Sequence, residues 1–231
     1  MRVEYARAKL TLSLRVTGVR DDGYHLLESE MVTLDLSDTL LFGPGDGVEL
    51  VPLVQTQRFQ PTLVTRALEA VGQSAFVRLE KRIPVGAGLG GGSADAAAVL
   101  RWAGCDDPAV ALSLGADVPF CLVGGRAMVR GVGEEIERLP LEARTFTLQT
   151  PPFGVSTAAA YAEWDRLGGP TGEHGNDLEP AALSVEPRLA TWRDLLGNAT
   201  GRTPRLAGSG STWFVAGAYP GEGRQVVRAE G

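Results

Sequence analysis

Residues 84 to 100 read PVGAGLGGGSADAAAVL. Five of the nine positions from Gly86 to Ala94 are glycine, and the alanine-rich run behind them has helical character. Glycine leaves backbone N–H groups unshielded. The first N–H groups of a helix have no internal partner and lie at the positive end of its dipole. Together they make an anion site suited to a di- or triphosphate. The same stretch could serve only as a tight turn, but ordering five glycines is an entropically costly way to make one. Pro84, Val85, Gly86, Ala87, Gly88, Leu89, Gly90, Gly91, Gly92, Ser93 and Ala94 are therefore read as a phosphate loop. Gly91 is expected where a Cβ would meet phosphate oxygens.

Two further residues could act on a group held there. The 22 basic residues comprise 20 arginines and two lysines, Lys9 and Lys81. An ammonium is compact and has a tunable pKa, which a guanidinium does not. Lys9 is read in that way; Lys81 is read as chance. Asp117, in GADVPF, sits between a helix end and a proline, where an aspartate alone is usually a cap or turn residue. Paired with Lys9 it could deprotonate a hydroxyl, with the ammonium orienting the carboxylate and neutralising charge.

These residues need elements to place them. Residues 8 to 16 alternate strictly, with Leu10, Leu12, Leu14 and Val16 on one face and Lys9, Thr11, Ser13 and Arg15 on the other, as in a strand with one face in the core. RDDGYH at 20 to 25 is a turn. Residues 28 to 42 read as one or two strands broken at Ser37-Asp38. GPGDG is a turn before a short strand, and Pro61 opens a helix to about Val71. Residues 76 to 83 form a strand into the glycine loop. Ser93 is expected to cap the helix that runs to Ala103. Asp107-Pro108 starts another helix, and 126 to 130 and 145 to 150 read as strands. Ser156 caps a helix to about Leu167, Pro187 to Leu196 is amphipathic, and AGSGST at 207 to 212 precedes the strand WFVA. Strands and helices mix without regular βαβ alternation, which predicts an α+β fold in two lobes, 1–140 and 141–231.

Composition narrows the function classes. The 231 residues are 44% hydrophobic and 22% charged, with a net charge of −6. That balance predicts a globular chain and argues against nucleic-acid binding, which needs a basic face. No apolar run reaches membrane-spanning length and MRVEYARAKL carries no signal core, so a cytoplasmic protein is expected. Cys105 and Cys121 lack CxxC spacing and fit a reduced compartment. The pattern GxxxxGK[ST] is absent, since no lysine follows the glycines. GxGxxG matches at Gly86, Gly88 and Gly91, but a dinucleotide fold would place it in its first βα turn, and several strands precede it here.

The ordered motifs AKLTL, DDGYHLLES, KRIPVGAGLGGGSADAA, LGADVPF and AGSGST resemble those of the GHMP small-molecule kinases. They are most similar to the branch acting on a cytidine-diphosphate-linked methylerythritol in the non-mevalonate isoprenoid route. The likeness covers about residues 6 to 215. It implies a ribosomal-S5-like N-terminal lobe, a ferredoxin-like C-terminal lobe and a cleft between them. It further implies ATP with Mg²⁺ and a small polyol acceptor, no membrane or nucleic-acid partner, and a monomer or weak homodimer. Lys9 and Asp117 would be catalytic. Tyr24 and His25 would hold the cytosine, Thr157 and Tyr161 would lie near the cytidine with Tyr161 as a second stacking ring, and Gly208 to Thr212 would support the phosphate end. Thr11 stands where the family has asparagine and would keep a shorter-reaching polar contact. TLV replaces NLV at 62 to 64, the 101–113 segment is short, and no helix is expected after Val215. A GHMP kinase for a mevalonate- or homoserine-like alcohol, or a degenerate nucleotide-binding regulator, are the competing readings.

Overall fold

The computed structural model describes residues 2–51 and 62–231. Strand β1 (Arg2–Val19) and strand β2 (His25–Gly43) form one long antiparallel hairpin closed by the DGYH turn. The alternation at 8 to 16 is the middle of β1. The expected break at Ser37-Asp38 does not occur. β2 runs through it, because Asp38 turns inward and finds partners of its own.

β2 is the spine of the first sheet. β4 (Phe76–Glu80) pairs with one half of it and β5 (Arg126–Gly131) with the other, both antiparallel. β3 (Gly47–Val51) joins β4 in parallel, and β6 (Glu135–Leu139) joins β5. Four helices pack on this sheet: α1 (Thr62–Ala70), α2 (Gly91–Ala103), α3 (Pro108–Leu114) and α4 (Val118–Val123). Pro61 lies outside the described residues. The alanines of α2 let it approach closely, and Ala94 and Ala96 to Leu100 are all buried.

A second sheet has the order β10-β7-β9-β8, all antiparallel, from β7 (Thr145–Gln149), β8 (Arg205–Leu206), β9 (Trp213–Ala216) and β10 (Arg224–Arg228). Helices α5 (Thr157–Arg166), α6 (Glu179–Val185) and α7 (Leu189–Thr200) bury Ala160, Ala182, Leu189 and Leu196 against Trp213 and Val215. The opposite face puts Phe146, Leu148, Phe214 and Val227 against Leu10, Leu12 and Leu34 of the long hairpin. Past β10, Ala229 bridges to Leu34, the Glu230 N–H donates to the Thr33 carbonyl (2.9 Å), and Arg7 pairs with Glu230 (2.7 Å).

One irregularity decides which way the chemistry points. The β1–β2 register shifts between Arg7 and Lys9. Before the shift Ala6 packs in the helix-side core; after it Ala8, Leu10 and Leu12 pack in the core between the sheets. A bulge turns the strand over, since side chains alternate with period two. Lys9 and Thr11 are therefore enclosed, 5% and 2% exposed. The polar face of this strand is an interior face.

Several boundaries differ from the sequence reading. Helix α2 begins at Gly91 and is preceded by Gly90 in the left-handed region (φ 67°), so Ser93 sits inside the helix and caps nothing. α7 extends to Thr200, ended by a left-handed Gly201. The chain after Val215 ends in the strand β10, with no helix. α4, α6, β6 and β10 were not expected: VPFCLV is too short and uniformly apolar to declare a helix period. The caps at Asp107 and Ser156 form as expected, accepting from Ala109 N–H (2.8 Å) and Ala159 N–H (3.3 Å).

Lys81, read as chance, is a structural keystone. Its side chain is 4% exposed, and its ammonium bonds to Asp38 and, at 2.8 Å, to Asp95. Asp38 also accepts from the N–H groups of Arg82 (2.5 Å) and Ile83 (2.8 Å). Burial opposes a charged Lys81, but Asp95 and Asp38 outweigh it and raise its pKa. The cluster ties β2, the chain leaving β4 and α2 together at the entrance to the glycine loop. Removing one partner of a buried ion pair costs about 3–5 kcal/mol. Asp38→Ala should lower the unfolding free energy by that amount in urea titration, and a loss under about 1 kcal/mol, the ordinary mutational range, would deny the cluster this role.

Candidate active site

The glycine loop crosses the seam between the two sheets. Gly86, Gly88 and Gly90 adopt φ of 69°, 75° and 67°, and among the described residues no non-glycine residue has positive φ. The hand of the backbone thus alternates from residue 86 to 90. That alternation makes successive N–H groups converge into an anion-binding concavity. The residues between are its anchors: Ala87 and Leu89 are 2% and 1% exposed in the inter-sheet core. The loop's carbonyls are taken by Val155 N–H on Gly86 (3.3 Å), Thr212 N–H on Ala87 (3.1 Å) and Lys9 N–H on Leu89 (3.0 Å). With its acceptors used inward, the loop presents donors outward, onto the start of α2. A Cβ at Gly88 would overlap the Ala207 carbonyl, so the AGSGST turn packs directly on this backbone.

Gly91 does not do what was expected of it. A Cβ there would point into the protein, 3.0 Å from Ile83 Cγ2 and 3.3 Å from Lys81 Nζ, not toward a ligand. Gly90 is the sensitive position. Its Cβ would stand 2.7 Å from Lys9 Cγ, on top of the lysine stem.

Lys9 Nζ donates to Thr11 Oγ1 (2.9 Å) and lies 3.2 Å from Asp117 Oδ2. Asp117 is at the N-cap position of α4, yet its side chain makes no capping hydrogen bond. The carboxylate is therefore not consumed as a cap. It keeps 31% exposure toward a cavity of about 390 Å³ that Lys9, Thr11, Asp117 and the glycine loop line together. Thr11, short as it is, reaches the ammonium, because the bulged strand brings both onto one face.

Thr157, Tyr161, Gly208 and Ser209 line the far side of the cavity. Thr157 Oγ1 and Ser209 Oγ are 2.9 Å apart, linking α5 to the second glycine turn. The Tyr161 ring packs on His25 at 4.7 Å between centroids, and burial, with Asp117 nearby, pushes its phenol above the ordinary range. His25 Nε2 is 2.8 Å from Asp165 Oδ1. Neither Tyr24, 63% exposed at the hairpin turn, nor His25 lines the cavity; His25 adjoins it only through the Tyr161 ring.

Sequence reasoning missed the supports. Asn176, 2% exposed, donates to the carbonyls of Leu206 (2.9 Å) and Gly208 (2.7 Å) and so fixes the second glycine turn. Its neighbour Asp177 accepts from Arg15 at 2.6 Å. Trp164, read as packing, meets the His25 ring edge-on at 5.5 Å and donates Nε1–H to the Pro170 carbonyl (2.9 Å). Nothing in GEHGND or AEWD marks these roles locally, since every partner but Pro170 is far away in the chain. Among the described residues no helix is long and apolar enough to cross a membrane.

Comparison with known proteins bears on this geometry. The model of the GHMP kinases N terminal domain matches residues 62–125. The 4-diphosphocytidyl-2-C-methyl-D-erythritol kinase of Paracoccus denitrificans is 39% identical over 99% of this chain and 91% of that protein. The enzyme of the same name from Pelotomaculum thermopropionicum is 38% identical over 96% and 91%. A crystal structure of 4-(cytidine 5'-diphospho)-2C-methyl-D-erythritol kinase superposes over 100% of both chains with a TM-score of 0.76 at 31% identity. Mevalonate kinase of Methanococcus jannaschii, with a TM-score of 0.59 at 11% identity, shares the fold alone. The two-lobed GHMP kinase architecture is thus the architecture of this protein, and the chain belongs to the 4-diphosphocytidyl-2-C-methyl-D-erythritol kinase family.

Proposed function

We propose that this protein transfers the γ-phosphoryl group of ATP to the 2-hydroxyl of 4-diphosphocytidyl-2-C-methyl-D-erythritol. The observation that carries the reading is the uncapped Asp117 carboxylate, 3.2 Å from Lys9 and sharing one cavity with the glycine loop. The relatives' names supply the acceptor. Residues 1–140 and 141–231 serve as the two lobes. Converging N–H groups of the loop and α2 hold the phosphates. Asp117 takes the proton of the attacking hydroxyl, and Lys9 holds that carboxylate and offsets charge as the oxygen attacks. Phosphoryl transfer has a loose transition state, so placement and charge stabilisation carry most of the rate. Mg²⁺, when bound, neutralises phosphate charge. Among the described residues lining the cavity, Asp117 is the one carboxylate, and it would be the protein group open to an ion carried in by the nucleotide. On the acceptor side, His25 and Tyr161 form one ring cluster, and Tyr24 offers an open ring for the base. A mevalonate- or homoserine-type kinase has no use for that set.

Three outcomes test this reading. Asp117→Asn keeps shape and removes the base, so kcat should fall about 10²–10⁴-fold with little change in nucleotide affinity; a variant with most of its kcat would take Asp117 out of the mechanism. Gly90→Val should push the Lys9 stem aside in a folded protein and lower kcat about 10²-fold, since misplacements near 1 Å cost that much; circular dichroism and steady-state kinetics together read the result. Base stacking is worth about 1–3 kcal/mol, so Tyr24→Ala and Tyr161→Ala should each raise KM for the cytidine substrate roughly 5- to 150-fold and leave KM for ATP nearly unchanged. CMP should compete with the acceptor. Inhibition by CMP only through displacement of ATP would favour a different GHMP kinase.

A further inference from the structure

Two carboxylates and one ammonium lie under the phosphate loop, and their charges do not balance. Asp38 is 0% exposed, Asp95 1% and Lys81 6%. Fully ionised, the three carry a net negative charge in a dry site. Lys81 lines the cavity itself, and a Cβ on Gly91, the first residue of α2, would be 3.3 Å from its Nζ. A negative cluster there would oppose the anion that the loop and helix are built to attract.

The geometry singles out which carboxyl is neutral. Asp38 is saturated with donors: Lys81 Nζ and the N–H groups of Arg82 and Ile83. Among the described residues Asp95 has a single donor, Lys81 Nζ at 2.8 Å on Oδ2, and its Oδ1 is buried without a hydrogen-bond partner. An ionised carboxylate with an unpaired buried oxygen is strongly penalised, and protonation removes the charge. From α4, Cys121 stays a neutral thiol, since loss of water around it pushes it up to about 12, and Lys9 is engaged with Asp117.

We infer that Asp95 is a positioning residue for ATP that works in its protonated form: with Lys81 and Asp38 it makes a neutral clamp that seats the N-terminus of α2 and the glycine loop, and its ionisation weakens nucleotide binding. The direction of its titration agrees. Burial raises the Asp95 carboxyl to about 7, opposed by Lys81 and assisted by Asp38. A carboxyl raised in the fold binds its proton more tightly there than in the unfolded chain. Its contribution to stability is therefore full at low pH and is lost as pH rises through the folded value. The inference rests on the reading of the loop as an ATP site.

The test compares the wild type with Asp95→Asn, which keeps the shape and cannot ionise. The Kd for ATP, by calorimetry, should rise about five- to tenfold more in the wild type than in the variant between roughly pH 6 and pH 8.5, the size expected for one added charge near the phosphates. Both proteins see the same titrating nucleotide, so the difference belongs to Asp95. A merely structural Asp95 would shift stability and leave the two pH profiles parallel, which overturns the inference. The wild type offers an independent measure: in the ¹³C spectrum of aspartate-labelled protein, one buried carboxyl resonance should titrate near neutral pH and be absent from the variant. A resonance already ionised at about pH 5, near the ordinary carboxylate range, overturns the inference even where the variant fails to fold. A wild type that binds no ATP overturns the kinase reading and this inference together.

Discussion

The structure turns on the hydrogen bond from the Lys9 N–H to the Leu89 carbonyl. It ties the phosphate loop to the strand whose next atoms outward are the Lys9 side chain. One backbone contact therefore fixes the distance between the group that receives phosphate oxygens and the group that faces the attacking hydroxyl. Everything around it serves that distance. Ala87 and Leu89 sink the loop into the inter-sheet core, Gly90 lets the lysine stem pass beneath, and the bulge after Arg7 turns Lys9 toward the helices. Each of these is a steric fact about backbone and Cβ positions, so the site is preorganised before any ligand arrives.

The two lysines now have distinct explanations. At the surface, arginine serves this chain almost everywhere. At positions 9 and 81 the side chain is enclosed, 5% and 6% exposed, and a compact ammonium meets carboxylates there where a planar fork would need more space. Lys9 meets a carboxylate that stays open to the cavity, whereas Lys81 is closed in by two that do not. One geometry leaves reactivity available; the other fixes backbone.

What was legible in the sequence was local. The period of β1, the glycine loop, and the caps at Asp107 and Ser156 each depend on a few neighbouring residues, and each is present in the fold. The pairing of Lys9 with Asp117 was legible because the motif order carried it. The site's supports were not, because they join distant parts of the chain. Asn176 works on residues 206 and 208, Asp38 on residues 81 to 83, and Trp164 on His25. The register shift beside Lys9 leaves no mark in an alternating pattern, since Ala6 and Ala8 look alike whichever face they take. Ser93 misled for the opposite reason: a good capping residue stood near a helix start that a left-handed Gly90 had already set.

The stitches beyond β10 span most of the chain's length. Glu230 holds Arg7 and Thr33, and Ala229 bridges Leu34, so contacts at the seam join residues 7 to 34 to residues 229 and 230. Closing a loop of that length carries a large entropic toll before any contact rewards it, and topologies rich in such pairings fold slowly. The long hairpin joins near neighbours in the chain, whereas the inter-sheet core joins Leu10, Leu12 and Leu34 to Phe214 and Val227. The loop that would hold phosphate is seated in this same core, so its placement depends on residues brought together from far apart in the chain.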